Sequence, residues 1–255
     1  MPLNIITIPC LSDNYAFLLE DTATGTIGLV DAPEAAPIIA ALDERGWTLS
    51  TILLTHHHPD HIDGVPELVA KYGCTVVGAE ADAHRLPKLD TAVKEGDSVT
   101  VGNCTGAVLE VYGHTVGHIA FHFAEDETVF SADSLMAMGC GRLFEGDGPM
   151  MWASMQKFLA MPDSTTVCSG HEYTASNTKY ALSVEPENAA LVARAAEIEA
   201  ARAKGEFTVP SNLGVEKATN PFLRAHLPET QAAIGMDGAD AAAVFTEIRH
   251  RKDNF

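Results

Sequence analysis

The sequence predicts an α/β chain: a two-sheet αββα sandwich flanked by helices, with a helical domain appended at the C-terminal end. Three observations predict it. Short apolar runs bounded by turn residues fill residues 3–130, interrupted once by a strand–helix passage. From about residue 172 the strand pattern stops and Ala-rich stretches of helical periodicity take over. Histidine and aspartate also recur where predicted strands end. The expected division is therefore residues 1–171 and residues 172–255.

Taken in order, residues 3–8, 15–19 and 26–30 read as strands. Asp31 ends the third run before Ala32-Pro33, and it has two readings: a carboxylate orienting a ligand histidine from behind, or an ordinary turn residue. Residues 34–45 place Ile38, Ile39 and Leu42 on one helical face, and Gly46 stops the helix. Residues 51–54 are a continuous apolar strand. A helix over residues 65–72 stops at Gly73, and residues 75–77 form a further strand. Residues 78–97 are polar and irregular. Residues 98–101, 107–111, 119–123, 128–130 and 165–168 read as strands, and residues 175–182, 187–203 and 238–250 as helices.

The chemistry gathers first at Thr55-His56-His57-His58-Pro59-Asp60-His61, directly after the buried strand. Side chains two apart in an extended segment point the same way, so His56 and His58 can share one metal ion. Pro59 biases His58 away from the helical region and preserves that geometry. Asp60 and His61 lie beyond the proline, where they can face a second ion. Imidazole nitrogen and carboxylate oxygen suit zinc, iron or manganese without a thiolate. His114, Asp133 and His171 each follow a predicted strand and are further ligand candidates, whereas His84, His118 and His122 read as structural, with His118 a candidate support behind a ligand.

The formal charge of −19 argues against a nucleic-acid binder, which presents a basic face. The five cysteines are widely spaced and form no CxxC pair, which fits reduced, buried thiols. No apolar run approaches the roughly 20 residues of a membrane span, and the first residues lack a basic leader and cleavage site. A cytoplasmic, monomeric protein with no membrane or nucleic-acid partner is expected. Arg249, Arg251 and Lys252 concentrate positive charge near the end of this acidic chain. They are either an anion clamp or a basic last helical turn complementing its dipole.

Together, Thr55-His56-x-His58-x-Asp60-His61, His114, Asp133 and His171 resemble, in order and spacing, the ligand pattern of metallo-β-lactamase-fold hydrolases. Asp13-Asn14-Tyr15, Cys140 to Gly146, Gly170-His171-Glu172-Tyr173-Thr174, Asn220-Pro221-Phe222-Leu223-Arg224 and Arg249-x-x-Lys252-Asp253-x-Phe255 narrow the resemblance to the glyoxalase II (hydroxyacylglutathione hydrolase) family over essentially the whole chain. That resemblance implies two divalent ions, most simply zinc, with iron or manganese also accommodated. His56, His58 and His114 would hold one, Asp60, His61 and His171 the other, and Asp133 would bridge them. Asp60 and Asp133 would be the catalytic carboxylates, Asp60 orienting the attacking hydroxide shared by the two ions. Arg142, Phe144, Tyr173, Arg249 and Lys252 would line a glutathione site. The implied reaction is hydrolysis of S-D-lactoylglutathione to glutathione and a 2-hydroxy acid, the second step of methylglyoxal detoxification.

Arg142 stands where the family commonly has lysine, and Phe144 where it commonly has tyrosine; Ala132 stands where glycine usually precedes the bridging aspartate. The rival reading is a mononuclear-iron glutathione persulfide dioxygenase of the same fold. It would leave Asp60, His61 and His171 without an ion. A nuclease of this fold is disfavoured by the acidity, and a non-catalytic metal-binding scaffold by seven matched ligands.

Overall fold

The computed structural model describes residues 3–255. The chain divides into two compact units, one formed by Met1–Glu110 with Gly117–Ala132, the other by Val111–Val116 with Asp133–Phe255.

The first unit contains β1 (Leu3–Cys10), β2 (Asn14–Asp21), β3 (Thr26–Val30), α1 (Ala35–Arg45), β4 (Leu49–Leu53), α2 (Pro59–Ile62), α3 (Val65–Tyr72), β5 (Thr75–Ala79), β6 (Thr91–Val93), β7 (Ser98–Val101), β8 (Cys104–Glu110), β9 (Ile119–Phe123) and β10 (Thr128–Ala132). One sheet runs β1-β2-β3-β4-β5-β6. Its first pairings are antiparallel and those from β3 to β6 are parallel. Parallel neighbours need a crossover, which α1 supplies between β3 and β4, and α3 between β4 and β5. β10-β9-β8-β7 follow one another antiparallel in a second sheet. A Cβ at Gly28 of β3 would lie 2.6 Å from Val101 of β7, so the sheets approach there only because residue 28 has no side chain.

Ile38 and Leu42 of α1 and Val65 and Leu68 of α3 bury against Leu18, Leu29 and Ile52 of the sheet. Truncating such a side chain to alanine costs about 2–5 kcal/mol. Both crossover helices end on a left-handed glycine, Gly46 at φ 66° and Gly73 at φ 65°. Residues 78–97 are not wholly irregular. β6 forms there because it pairs with β5, and Asp90 locks the approach by exchanging bonds with the Val76 backbone at 2.8 and 2.9 Å. Three residues are too few for alternation to reveal such a strand.

The second unit contains β11 (Leu135–Met136), β12 (Gly139–Cys140), α4 (Gly148–Leu159), β13 (Thr166–Ser169), α5 (Thr174–Val184), α6 (Ala189–Ala203), β14 (Ser211–Asn212), α7 (Leu213–Thr219), α8 (Pro221–Arg224), α9 (Pro228–Ile234) and α10 (Ala241–Asp253). The strand pattern does not stop entirely near residue 172, since β14 pairs with β13. α4, a helix beyond those expected from the sequence, is capped by Asp147, which accepts from Met150 N at 2.9 Å, and buries Met151, Trp152, Met155 and Phe158. Phe222 and Phe245 pack edge to face at 5.6 Å, with Trp152 6.1 Å from Phe245. Asn220 donates to Met136 O and Gly139 O, at 3.2 and 3.0 Å, so the start of α8 braces the β11–β12 hairpin. Buried Glu216 accepts from Met138 N at 2.9 Å and pairs with buried Arg194.

Candidate metal centre

In the first unit, β4 delivers Thr55 and the histidine loop. Asp31 Oδ1 accepts from Thr55 N at 2.9 Å, and its Oδ2 accepts from the Thr55 hydroxyl and from His61 Nδ1, each at 2.8 Å. Asp31 therefore takes the orienting role, and it holds a left-handed φ of 57° to do so. Having given its hydrogen to Asp31, the Thr55 oxygen accepts from His56 Nδ1 at 3.1 Å. These partners assign the Nδ1 hydrogens of His56 and His61 and leave a lone pair on each Nε2. His56 Nε2 lies 3.1 Å from His58 Nδ1, and His61 Nε2 lies 4.0 Å from Asp60 Oδ2. Asn14 Nδ2 donates to Asp60 O and Oδ2, at 2.9 and 3.1 Å, which explains why the motif at the start of β2 accompanies the ligand loop. The His118 ring stacks on that of His56 at 4.6 Å.

In the second unit, the loop after the β11–β12 hairpin plays the part of Asp31. His114 Nδ1 donates to Arg142 O at 2.8 Å, and Gly141 N donates to Asp133 O at 2.9 Å. His114 Nε2 is thereby left with its lone pair 3.5 Å from Asp133 Oδ2, and His171 Nε2 lies 3.3 Å from the same oxygen. A buried carboxylate facing two imidazole nitrogens suits a site that takes up positive charge. Asp60, which is partly exposed, presents its Oδ2 to His61 Nε2 at 4.0 Å. Both sets of donors therefore fit divalent cations bound through nitrogen and oxygen.

The predicted thiol-site residues all fall in the second unit. Phe144 is exposed and meets the His114 ring edge-on at 5.3 Å. Tyr173 stacks on His171 at 4.6 Å. The exposed Arg142 side chain lies 3.9 Å from Asp253. Arg249 is buried instead, donating to Cys140 O at 3.0 Å and to Asp253 at 2.7 Å. Lys252 bonds Asn177 Oδ1, and burial, with the neighbouring Arg249 charge, brings its pKa down to about 8. All five cysteines are buried thiols outside any disulfide, and burial pushes the Cys140 and Cys168 thiols up. His122 is half-buried on β9, and burial lowers its pKa. Sequence reasoning missed His57 and Asp82, which bond each other at 3.0 Å, because nothing in a polar, irregular stretch marks one aspartate as a buried partner.

Residues 14–171 match the metallo-beta-lactamase superfamily, and residues 172–255 match the C-terminal region of hydroxyacylglutathione hydrolase. Fold and donor set thus define a metal-binding hydrolase of the metallo-β-lactamase fold. A hydroxyacylglutathione hydrolase of Ruegeria pomeroyi is 63% identical over 255 residues, covering 100% of both chains. Among solved structures, ETHE1 from Myxococcus xanthus has a TM-score of 0.67 at 25% identity, covering 98% of this chain and 90% of that one. TTHA1623 in a di-iron-bound form has a TM-score of 0.62 at 26% identity, covering 86% of this chain and 100% of that one. The chain belongs to the hydroxyacylglutathione hydrolase family. Among the described residues, no helix is long and apolar enough to cross a membrane.

Proposed function

We propose that this protein hydrolyses S-(2-hydroxyacyl)glutathione, with S-D-lactoylglutathione as the reference substrate, to glutathione and a 2-hydroxy acid. The observation that carries the reading is the pair of imidazole Nε2 atoms, on His61 and His114, that face carboxylate oxygens at 4.0 and 3.5 Å. His56, His58 and His114 would hold one ion, Asp60, His61 and His171 the other, with Asp133 shared. Two divalent ions in such a site supply water activation at neutral pH and polarisation of the thioester carbonyl. Zinc is the first choice, and iron suits the same nitrogen and oxygen donors; the similar TTHA1623 is in a di-iron-bound form.

The chain's own residues do the rest. Asp31 and the Arg142 carbonyl hold His61 and His114 with Nε2 forward, and Asn14 holds the Asp60 carboxylate in place. The departing thiol has an ordinary pKa of about 8.5, so its thiolate leaves without a general acid. Glutathione is anionic and the chain carries −19, so a local cation is required. Lys252 and Arg142 supply it, while Arg249 shapes the loop on which Arg142 stands, through Cys140 O. Residues 1–171 would act as the metal domain and residues 172–255 as the thiol-binding domain, in a cytoplasmic monomer.

The test is turnover of S-D-lactoylglutathione by purified protein, with metal content measured on the same sample. Rapid loss of thioester absorbance with about two ions per chain supports the reading. Two ions without turnover would discard glutathione as the carrier. A single bound iron and persulfide oxidation would favour the dioxygenase instead.

A further inference from the structure

His57 is the one histidine of the loop that the ligand assignment leaves unused. It lies between two candidate ligands, and its ring meets that of His58 edge-on, 4.9 Å between centroids. Its Nδ1 hydrogen bonds Asp82 Oδ2 at 3.0 Å. Asp82 comes from a short turn after β5 and is 1% exposed. Its other oxygen accepts from Arg85 Nε at 3.1 Å and Nη2 at 2.5 Å, which neutralises the buried carboxylate. Its backbone oxygen accepts from Arg85 N and Leu86 N, at 2.8 and 3.0 Å, so Asp82 is held at both ends.

Asp82 also fills a space that a second segment must leave open. A Cβ at Gly117 would fall 2.1 Å from the Asp82 carboxyl carbon, closer than real Cβ atoms approach anything. Gly117 adjoins His118, whose ring stacks on His56 at 4.6 Å with the planes 14° apart. The buried carboxylate thus grips the histidine loop at residue 57, beside the His58 ring, and abuts the backbone next to His118, which stacks on His56.

We propose that Asp82 is a positioning residue: through His57, and backed by Arg85, it sets the rotation of the extended segment that aims His56 and His58 at a common ion. This rests on the reading that those two histidines ligate metal. His57 needs only a donor at Nδ1 for the role, so a side chain that can still donate serves and one that cannot does not.

The test compares His57→Gln, His57→Ala and Asp82→Ala with the unaltered protein. Zinc affinity is measured by competition with a chromophoric chelator after reconstitution of the apoprotein, and the visible spectrum is recorded after cobalt substitution. The expected result is a roughly ten- to hundred-fold weaker zinc affinity and an altered cobalt band envelope in His57→Ala and Asp82→Ala. His57→Gln should stay near the unaltered protein, whereas in the two alanine variants KM for the thioester should hold while kcat falls. If Asp82→Ala does not fold, the His57 pair alone decides, since that side chain sits at the partly exposed end of the contact. Unaltered affinity and spectrum in His57→Ala, or equal losses in His57→Gln and His57→Ala, would overturn the inference. Failure of the unaltered protein to bind zinc would instead sink the metal reading beneath it.

Discussion

His61 donates its Nδ1 hydrogen to Asp31 Oδ2 at 2.8 Å, and both residues are buried. Asp31 also takes both bonds from Thr55, so one carboxylate sets the ring of His61 directly and that of His56 through a hydroxyl. Replacing Asp31 with alanine removes the acceptors of all three bonds at once. Metal affinity should fall by about 10–100-fold, read as metal retained after dialysis against a chelator. Unchanged retention would show that the histidines hold their orientation unaided.

Gly141 presents the matching case in the second unit. A Cβ there would lie 2.2 Å from Asp133 O and 2.7 Å from His114 Nδ1. Gly141→Ala should therefore displace two candidate ligands at once, with loss of bound metal as well as turnover. Elemental analysis of the purified variant checks it.

His171→Ala removes a candidate ligand whose Nε2 is 3.3 Å from Asp133. Thioesterase activity should drop to background, and bound metal should fall from two equivalents towards one. Unimpaired turnover would end the two-ion assignment.

Lys252 gives a pH signature. Its pKa is lowered to about 8, chiefly by burial, so its charge is present below that pH and lost as pH rises through it. Capture of an anionic thioester should weaken in the same direction, with kcat/KM falling on an alkaline limb near pH 8, the free enzyme's titration. Lys252→Met should raise KM about tenfold or more, the scale of a hydrogen bond to a charged group, leave kcat nearly unchanged and remove that limb.

Phe144 offers a gain rather than a loss. It is exposed beside His114 and lacks the hydroxyl common at this position in the family. Phe144→Tyr should lower KM for the glutathione thioester by about two- to tenfold, the range of one neutral hydrogen bond. An unaltered KM would show that the ring acts by packing alone.

The local code of the chain determined the ligand loop. His56, His58, Asp60 and His61 fall within six positions after an apolar strand, and strand alternation alone pairs the first two. It also determined α1 and α3, whose apolar faces and terminal glycines are periodic signals. What only tertiary structure decided are the groups behind the ligands. Thr55 and Asp31 are separated by 24 residues, His61 and Asp31 by 30, and His114 and Arg142 by 28. No periodicity links positions so far apart, and one of the partners is a backbone carbonyl that every residue possesses. Arg249 teaches the same lesson. Its charge near the chain end is plain in the sequence, but its burial against Cys140 O arises only when α10 packs on the hairpin loop. Local pattern sets which side chains can bind a metal or a thiol, and long-range packing sets which way their nitrogens point.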